Sequence, residues 1–230
     1  MRYGEVVPGR FLERPNRFIA RVELNGKLET VHVKNTGRCR ELLVPDARVY
    51  LSRGTTPGRK TAWDLIAVEK QTARGPLLVN MDAQAPNAVF YEWAAAGGLR
   101  EEVRSIRREA VYGNSRLDFL LDTVRGPLYV EVKGVTLEHG GKASFPDAPT
   151  ERGVKHVREL RRAAAEGLGA ALCFVVQMEG MDSVSPNDGH DPAFGAALRD
   201  AAAHGVQVWA WECAVKPDAL NIVREVPVIL

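Results

Sequence analysis

The chain has 230 residues, enough for one large or two small domains with an ample core. Its apolar and charged fractions, 45% and 26%, are ordinary for a globular protein, and no run approaches the roughly 18 apolar residues of a membrane span. The net charge of +2 conceals an asymmetry: residues 1–80 hold 15 Lys and Arg against 8 Asp and Glu, a net of +7, and the remainder carries −5.

A basic first part beside an acidic remainder points to a polyanion-binding module joined to something else. The opening, MRYGEVVPGR, lacks the apolar stretch of a secretory signal. Cys39, Cys173 and Cys213 are odd in number and widely spaced. They speak for reduced thiols in a cytoplasm, not for a disulfide frame or a zinc site.

Residues 1–80 read as all-β. Phe18, Ala20, Val22 and Leu24 alternate onto one face, Asn25-Gly26 is a hairpin turn, and Leu28 to Lys34 resumes as a strand. Asn35 to Arg38 forms a turn, Cys39 to Leu43 a short helical turn, and Pro45-Asp46 stops it. Alternation over Ala47–Ser52, then Thr61–Glu69 and Leu77–Asn80, supplies further strands. Five short strands fit a small OB-like barrel, although the helical turn comes one strand too early for that order. Such barrels bind single strands along a basic groove. Two loops mix cations with Gly and hydroxyl or amide groups, as phosphate contacts require. One carries Lys34, Arg38 and Arg40; the other carries Arg53, Arg59 and Lys60.

Pro86-Asn87 opens a helix with Asn87 as its cap, and Gly97-Gly98 ends it. Glu92 is the only charged residue within it and shares a face with Val89, Trp93 and Ala96. Strands follow at Arg107–Tyr112, Leu117–Leu121 and Leu128–Leu137, then a polar Gly-rich loop to Pro149. Thr150 caps a helix running to about Glu166. A buried strand at Ala171–Gln177, a helix from Asp191-Pro192 to Ala203, and a strand at Val206–Trp211 complete an α/β domain with a mixed sheet. The division expected is 1–82 and 83–230.

The chemistry concentrates in Arg116–Leu137, RLDFLLDTVRGPLYVEVKGVTL. Two β-prone runs flank a turn signal near Val124 and Arg125, about which Asp118 and Glu131 are symmetric. Opposed residues on an antiparallel pair have Cβ atoms about 4.5–5.5 Å apart, so two carboxylates there repel unless a divalent cation holds both. Lys133, two residues past Glu131, lies on the same face. An Asp, a Glu and a Lys about one point suit metal-dependent phosphodiester hydrolysis.

This stretch resembles the PD-(D/E)xK nuclease core, with Asp118 as the isolated acid and Glu131-Val132-Lys133 as the E-x-K element. The whole chain resembles the sugar fermentation stimulation protein family of bacteria and archaea. That likeness rests on Asn35-Thr36-Gly37, Asn80 with Pro86-Asn87 and Glu92, Ser115–Phe119, Tyr129–Lys133, Phe145-Pro146-Asp147-Ala148, and Thr150–Gly153 with Lys155-His156. The resemblance implies an OB-like barrel before a nuclease-like α/β domain, DNA binding of low sequence specificity, and a link to sugar-utilisation genes. It makes Asp118, Glu131 and the carbonyl of Val132 ligands of Mg²⁺ or Mn²⁺. Lys133 would steady the attacked phosphate, and Glu92 or Glu109 would complete the acidic set. Lys155 is expected to face the site, flanked by Arg152, a contact to nucleic acid, and by His156. The expected partner is nucleic acid, DNA before RNA, and no membrane. Four readings compete: a metal-dependent nuclease, a DNA-binding regulator with a non-catalytic nuclease-like core, an RNA-processing factor, and a metal hydrolase acting on something other than nucleic acid.

Overall fold

The computed structural model describes residues 1–230. Its first part is a sheet of β1 (Val6–Asn16), β2 (Ile19–Leu24), β3 (Lys27–Val33), β4 (Arg48–Arg53), β5 (Trp63–Thr72) and β6 (Gly75–Asn80). The order is β3-β2-β1-β4-β5-β6, and a parallel pairing of β3 with β5 closes the first five strands into a ring. The order around the ring, 1-2-3-5-4, is that of an OB barrel. The sequence does not betray β1, which is bent by register shifts after Phe11 and Glu13 and buries only Phe11. Counting β1 removes the misplacement of the helical turn. The segment at Cys39–Leu43, where the Leu43 N–H reaches the Cys39 carbonyl at 2.9 Å, follows the third strand, as an OB barrel requires.

The second part is a six-stranded mixed sheet, ordered β15-β14-β12-β9-β8-β7. Its members are β7 (Val103–Tyr112), β8 (Ser115–Thr123), β9 (Gly126–Val135), β12 (Gly169–Val176), β14 (Gln207–Lys216) and β15 (Ala219–Glu225). The strands β9, β12 and β14 run parallel. Central β12 is buried over seven of its eight residues, hence its unbroken apolar run. Helix α1 (Ala85–Ala95) covers one face, packing against β7, β9 and β15. Helix α2 (Glu151–Ala165) covers the other, with α3 (Pro192–Ala203) against it. Thr150 caps α2 by accepting from the Gly153 N–H, and Asp191 caps α3 by accepting from Phe194.

Two expectations need correcting. The Gly-rich loop after β9 is partly a hairpin, β10 (Leu137–His139) and β11 (Lys142–Phe145), joined by β13 (Ser183–Pro186) into a small third sheet. The turn at Gly140-Gly141, both at positive φ, hid two strands too short to show alternation. Asn87 does not cap α1, because Gln84 holds the cap position, with its own N–H on Asp82 Oδ1 at 2.9 Å. That frees the Asn87 side chain.

Candidate active site

The hairpin of β8 and β9 turns where the sequence placed it, at Val124 and Arg125, and pairs Thr123 with Gly126 through Phe119 with Val130. The ladder ends there, one step short of Asp118 and Glu131. Asp118 Oδ2 accepts the Val132 N–H at 2.8 Å, so the carboxylate bridges the two strands where they stop pairing. Its Oδ1 accepts from Asn87 Nδ2 at 2.8 Å. Helix α1 therefore serves the site through Asn87, in its first turn.

Glu131 is 2% exposed, in the middle of the sheet, and a carboxylate so placed needs partners. Lys133 Nζ donates to its Oε1 at 2.6 Å, and Nδ1 of buried His156, from α2, bonds the same oxygen. The other oxygen, Oε2, is buried and has no partner at all. Burial and the neighbouring charge of Glu131 push Asp118 above the usual carboxylate range. Burial also pushes Glu131 upward, but the His156 hydrogen bond and the Lys133 ammonium outweigh it and leave the group below its ordinary value. The two neighbouring carboxylates are thus driven apart, Glu131 toward its charged form and Asp118 toward its neutral one. The donors, two carboxylates with one bare oxygen, are the hard oxygen set that Mg²⁺ or Mn²⁺ takes. The chain has no group of three or more His, Cys, Asp and Glu arranged to hold a metal, so further positions fall to backbone or water.

Not every expected residue arrives. Glu92 sits 2.7 Å from the amino group of Met1, which itself bonds β15 at Leu220, and its side chain is 57% exposed. Since β15 lies three strands from β9, roughly 14 Å at ordinary strand spacing, Glu92 stands outside the site. Five residues separate it from Asn87, which turns it to nearly the opposite side of α1. Glu109 faces away too: it pairs with Arg116 at 3.3 Å, is 71% exposed, and adopts φ +52°. Lys155 is exposed and donates to the Asn114 carbonyl at 2.9 Å, whereas its neighbour His156 points inward. Arg152 Nε lies 3.4 Å from His156 Nε2, so α2 reaches Glu131 through an Arg-His pair. His156 and Asn87 were the residues sequence reasoning undervalued. The signal for His156 was its place on the apolar stripe of α2, beside Val157 and Gly153.

The cations of the barrel divide. Lys34 is bound to buried Asp82 at 2.9 Å, and Arg59 forks onto Asp64, so neither is free for phosphate. Arg38, Arg40 and Lys60 are exposed and unpaired, and Arg53 lies over the Trp63 ring at 5.1 Å. Arg38 and Arg40 line a shallow groove with Arg14 and Arg17. Arg14 shapes its floor by donating to the carbonyls of Arg17, Asn35, Gly37 and Arg38. The three cysteines are buried and unbonded. Burial pushes the Cys39 and Cys213 thiols up to about 12, far from thiolate chemistry.

Residues 12–79 match the SfsA N-terminal OB domain, and residues 84–219 match the sugar fermentation stimulation protein RE domain. A sugar fermentation stimulation protein homolog of Clostridium beijerinckii is 47% identical over 230 residues, spanning 100% of both chains. Another, from Desulfitobacterium hafniense strain Y51, is 50% identical over 221 residues, 96% of this chain and 95% of the other. Among solved structures, Pyrococcus furiosus SfsA in complex with Ca²⁺ superposes with a TM-score of 0.89 at 27% identity, covering 100% of this chain and 98% of that one. Matched in both halves and aligned with its relatives from end to end, the chain belongs to the sugar fermentation stimulation protein family.

Proposed function

We propose that this protein binds nucleic acid and hydrolyses its phosphodiester bonds with a divalent cation, with little sequence specificity, acting on DNA before RNA in the cytoplasm. One observation carries the reading. Asp118 and Glu131 stand on neighbouring strands just past the point where their ladder stops, near enough for the Glu131 charge to act on Asp118, and Glu131 Oε2 is left buried without a partner. A buried bare carboxylate oxygen is costly unless something binds it. The Ca²⁺ held by the Pyrococcus furiosus relative is of the class such oxygens take.

Asp118, Glu131 and the Val132 carbonyl would hold Mg²⁺ or Mn²⁺. When bound, such an ion polarises a phosphate oxygen and lowers the pKa of water. The chain's own residues do the rest. Asn87 and the Val132 N–H fix the Asp118 carboxylate, and His156 fixes Glu131 from α2. Lys133 stands where its ammonium can leave Glu131 for the phosphate and stabilise charge developing there. Arg38 and Arg40 offer the backbone a sequence-blind track.

A second reading, a DNA-binding regulator of sugar-utilisation genes with a non-catalytic core, is favoured by one contact. Lys133 and Glu131 already form a complete ion pair, 2.6 Å long, which needs no metal. Plasmid and single-stranded DNA incubated with Mg²⁺, Mn²⁺ or EDTA separate the two. Cleavage that requires metal and disappears in Glu131→Ala is the expected result; salt-sensitive binding without cleavage in either metal leaves the regulator.

A further inference from the structure

Next to the acidic pair, between barrel and α/β domain, lies a cleft of about 340 Å³ that the proposed chemistry does not use. It adjoins that pair twice, because Gly134 follows Lys133 in β9 and Pro86 precedes Asn87 in α1, and both line it. On the far side, Thr36 and Gly37 form a wall shared with the Arg38–Arg40 groove. The cleft thus stands between the cationic track and the candidate metal site.

Its chemistry differs from both. None of its 17 lining residues is Lys, Arg or His, and its only charge is the exposed carboxylate of Asp147. At its floor is Gln177, 2% exposed. The Gln177 Nε2 donates to the Asp82 carbonyl at 3.0 Å and to Asn80 Oδ1 at 2.9 Å. A backbone carbonyl can only accept, so the amide has one orientation, and Oε1 faces the cleft with no partner of its own. A Cβ on Gly134 would stand 2.5 Å from that oxygen and 2.6 Å from Pro86 Cγ, so only glycine keeps the floor open. Phe145, Pro146 and Pro86 supply apolar walls.

We infer that this cleft receives one unpaired nucleobase of the bound strand, an amine-bearing one, whose N–H edge is read by Gln177 Oε1 and Asp147. The inference rests on the nucleic-acid reading above. A cleft without cations repels phosphate, so the uncharged part of a nucleotide is what it takes. Its size lies within the range of small-molecule sites, about 300–1,000 Å³, and excludes a duplex. The hydroxyls of Thr36, Thr136, Ser144 and Thr150 can donate or accept and suit any base, whereas Gln177 Oε1 and the Asp147 carboxylate only accept and favour the exocyclic amine of adenine, cytosine or guanine over thymine or uracil, whose N3–H lies between two carbonyls. An acceptor held in one orientation and open to the cleft discriminates between ligands with and without the matching donor.

The test is fluorescence anisotropy on the full chain in EDTA, where nothing is cut. The probes are labelled decamers of dA, dC and dT and an abasic decamer with the same phosphates. The dA and dC decamers should bind at least tenfold more tightly than the abasic one and several-fold more tightly than dT. Gln177→Leu should collapse those differences and leave the salt dependence unchanged. Ala148→Trp, at an exposed loop position on the cleft's rim and outside the Gln177 hydrogen bonds, should do the same by filling the space. It keeps the result interpretable should Gln177→Leu fold poorly. Equal binding of all four decamers, or a ranking that survives Ala148→Trp, overturns the inference. Cleavage with metal but no base discrimination sinks the cleft alone, whereas base discrimination in a chain that never cleaves sinks the nuclease alone.

Discussion

Glu131 is asked to do two things at once, and its two oxygens divide the work. Oε1 is saturated by Lys133 and His156, and Oε2 is bare. Substitutions around it should therefore separate. Glu131→Ala removes the bare oxygen and relieves the repulsion on Asp118, so Mn²⁺ binding should be lost while metal-free DNA binding stays or rises. Lys133→Ala leaves both acids, so Mn²⁺ should still titrate in, while single-turnover cleavage falls about 10²–10³-fold, the usual cost of one oriented electrostatic contact. His156→Ala should weaken metal affinity or rate by about 10–100-fold, as the loss of a supporting partner does. Glu92→Gln should change neither measurement, and equal damage from Glu92 and Lys133 substitutions would argue against this placement of the site. Asp118, Glu131 and Lys133 were legible because spacing about one turn decides which strand residues oppose. His156 was not, because its contact crosses from helix to sheet, and no local pattern distinguishes a histidine that meets a carboxylate from one that merely packs.

At the scale of elements, the site is made by things ending. The β8–β9 ladder stops at Phe119 and Val130, and α1 begins three residues after Asp82, so a helix start and a strand parting meet at Asp118. Asn favours a cap position, but tertiary structure gives the cap of α1 to Gln84 and turns Asn87 onto the acid. Asn87→Ala should leave α1 intact by circular dichroism, since it removes no capping bond. It should still lower Mn²⁺ affinity about 10–100-fold, because Asp118 loses a donor that favours its charged form. An unaltered Mn²⁺ titration would show that the Val132 N–H alone is enough. The helices and central strands were readable from apolar period. Strand β1 was not, because two bulges break its alternation and it buries one large side chain. The hairpin β10–β11 was too short to show any.

Across the whole molecule, barrel and α/β domain are joined by polar contacts as well as by a shared apolar core. The Lys70 ammonium of β5 grips Glu138 of β10 at 2.6 Å, and the Asn80 N–H meets the Gln177 carbonyl at 2.9 Å. Burial pushes Glu138 upward, but the Gly141 N–H and Lys70 outweigh it and hold the carboxyl below its ordinary value. A depressed acid adds stability that is complete above the unfolded pKa, near 4.3, and is lost as pH falls through the folded one. Glu138→Gln should therefore cost about 2 kcal/mol at pH 7, the scale of a hydrogen bond to a charged group. The gap from the parent chain should close as urea melts are repeated below about pH 4. A gap that persists in acid would mean that packing, not charge, holds the joint.

The barrel's ring is closed by only two residue pairs, His32 with Asp64 and Val33 with Leu65, whereas its other neighbouring strands share four or more. A closed ring hides its edges only while its shortest seam holds, and amide groups there should be the first in the barrel to trade hydrogen with solvent. The chain leaving that seam runs on through Asn35, Thr36 and Gly37, which wall the cleft. A seam that opens would carry that wall of the cleft with it. The Arg59–Asp64–His32 cluster, which takes Arg59 away from phosphate, ties β5 to β3 across that seam.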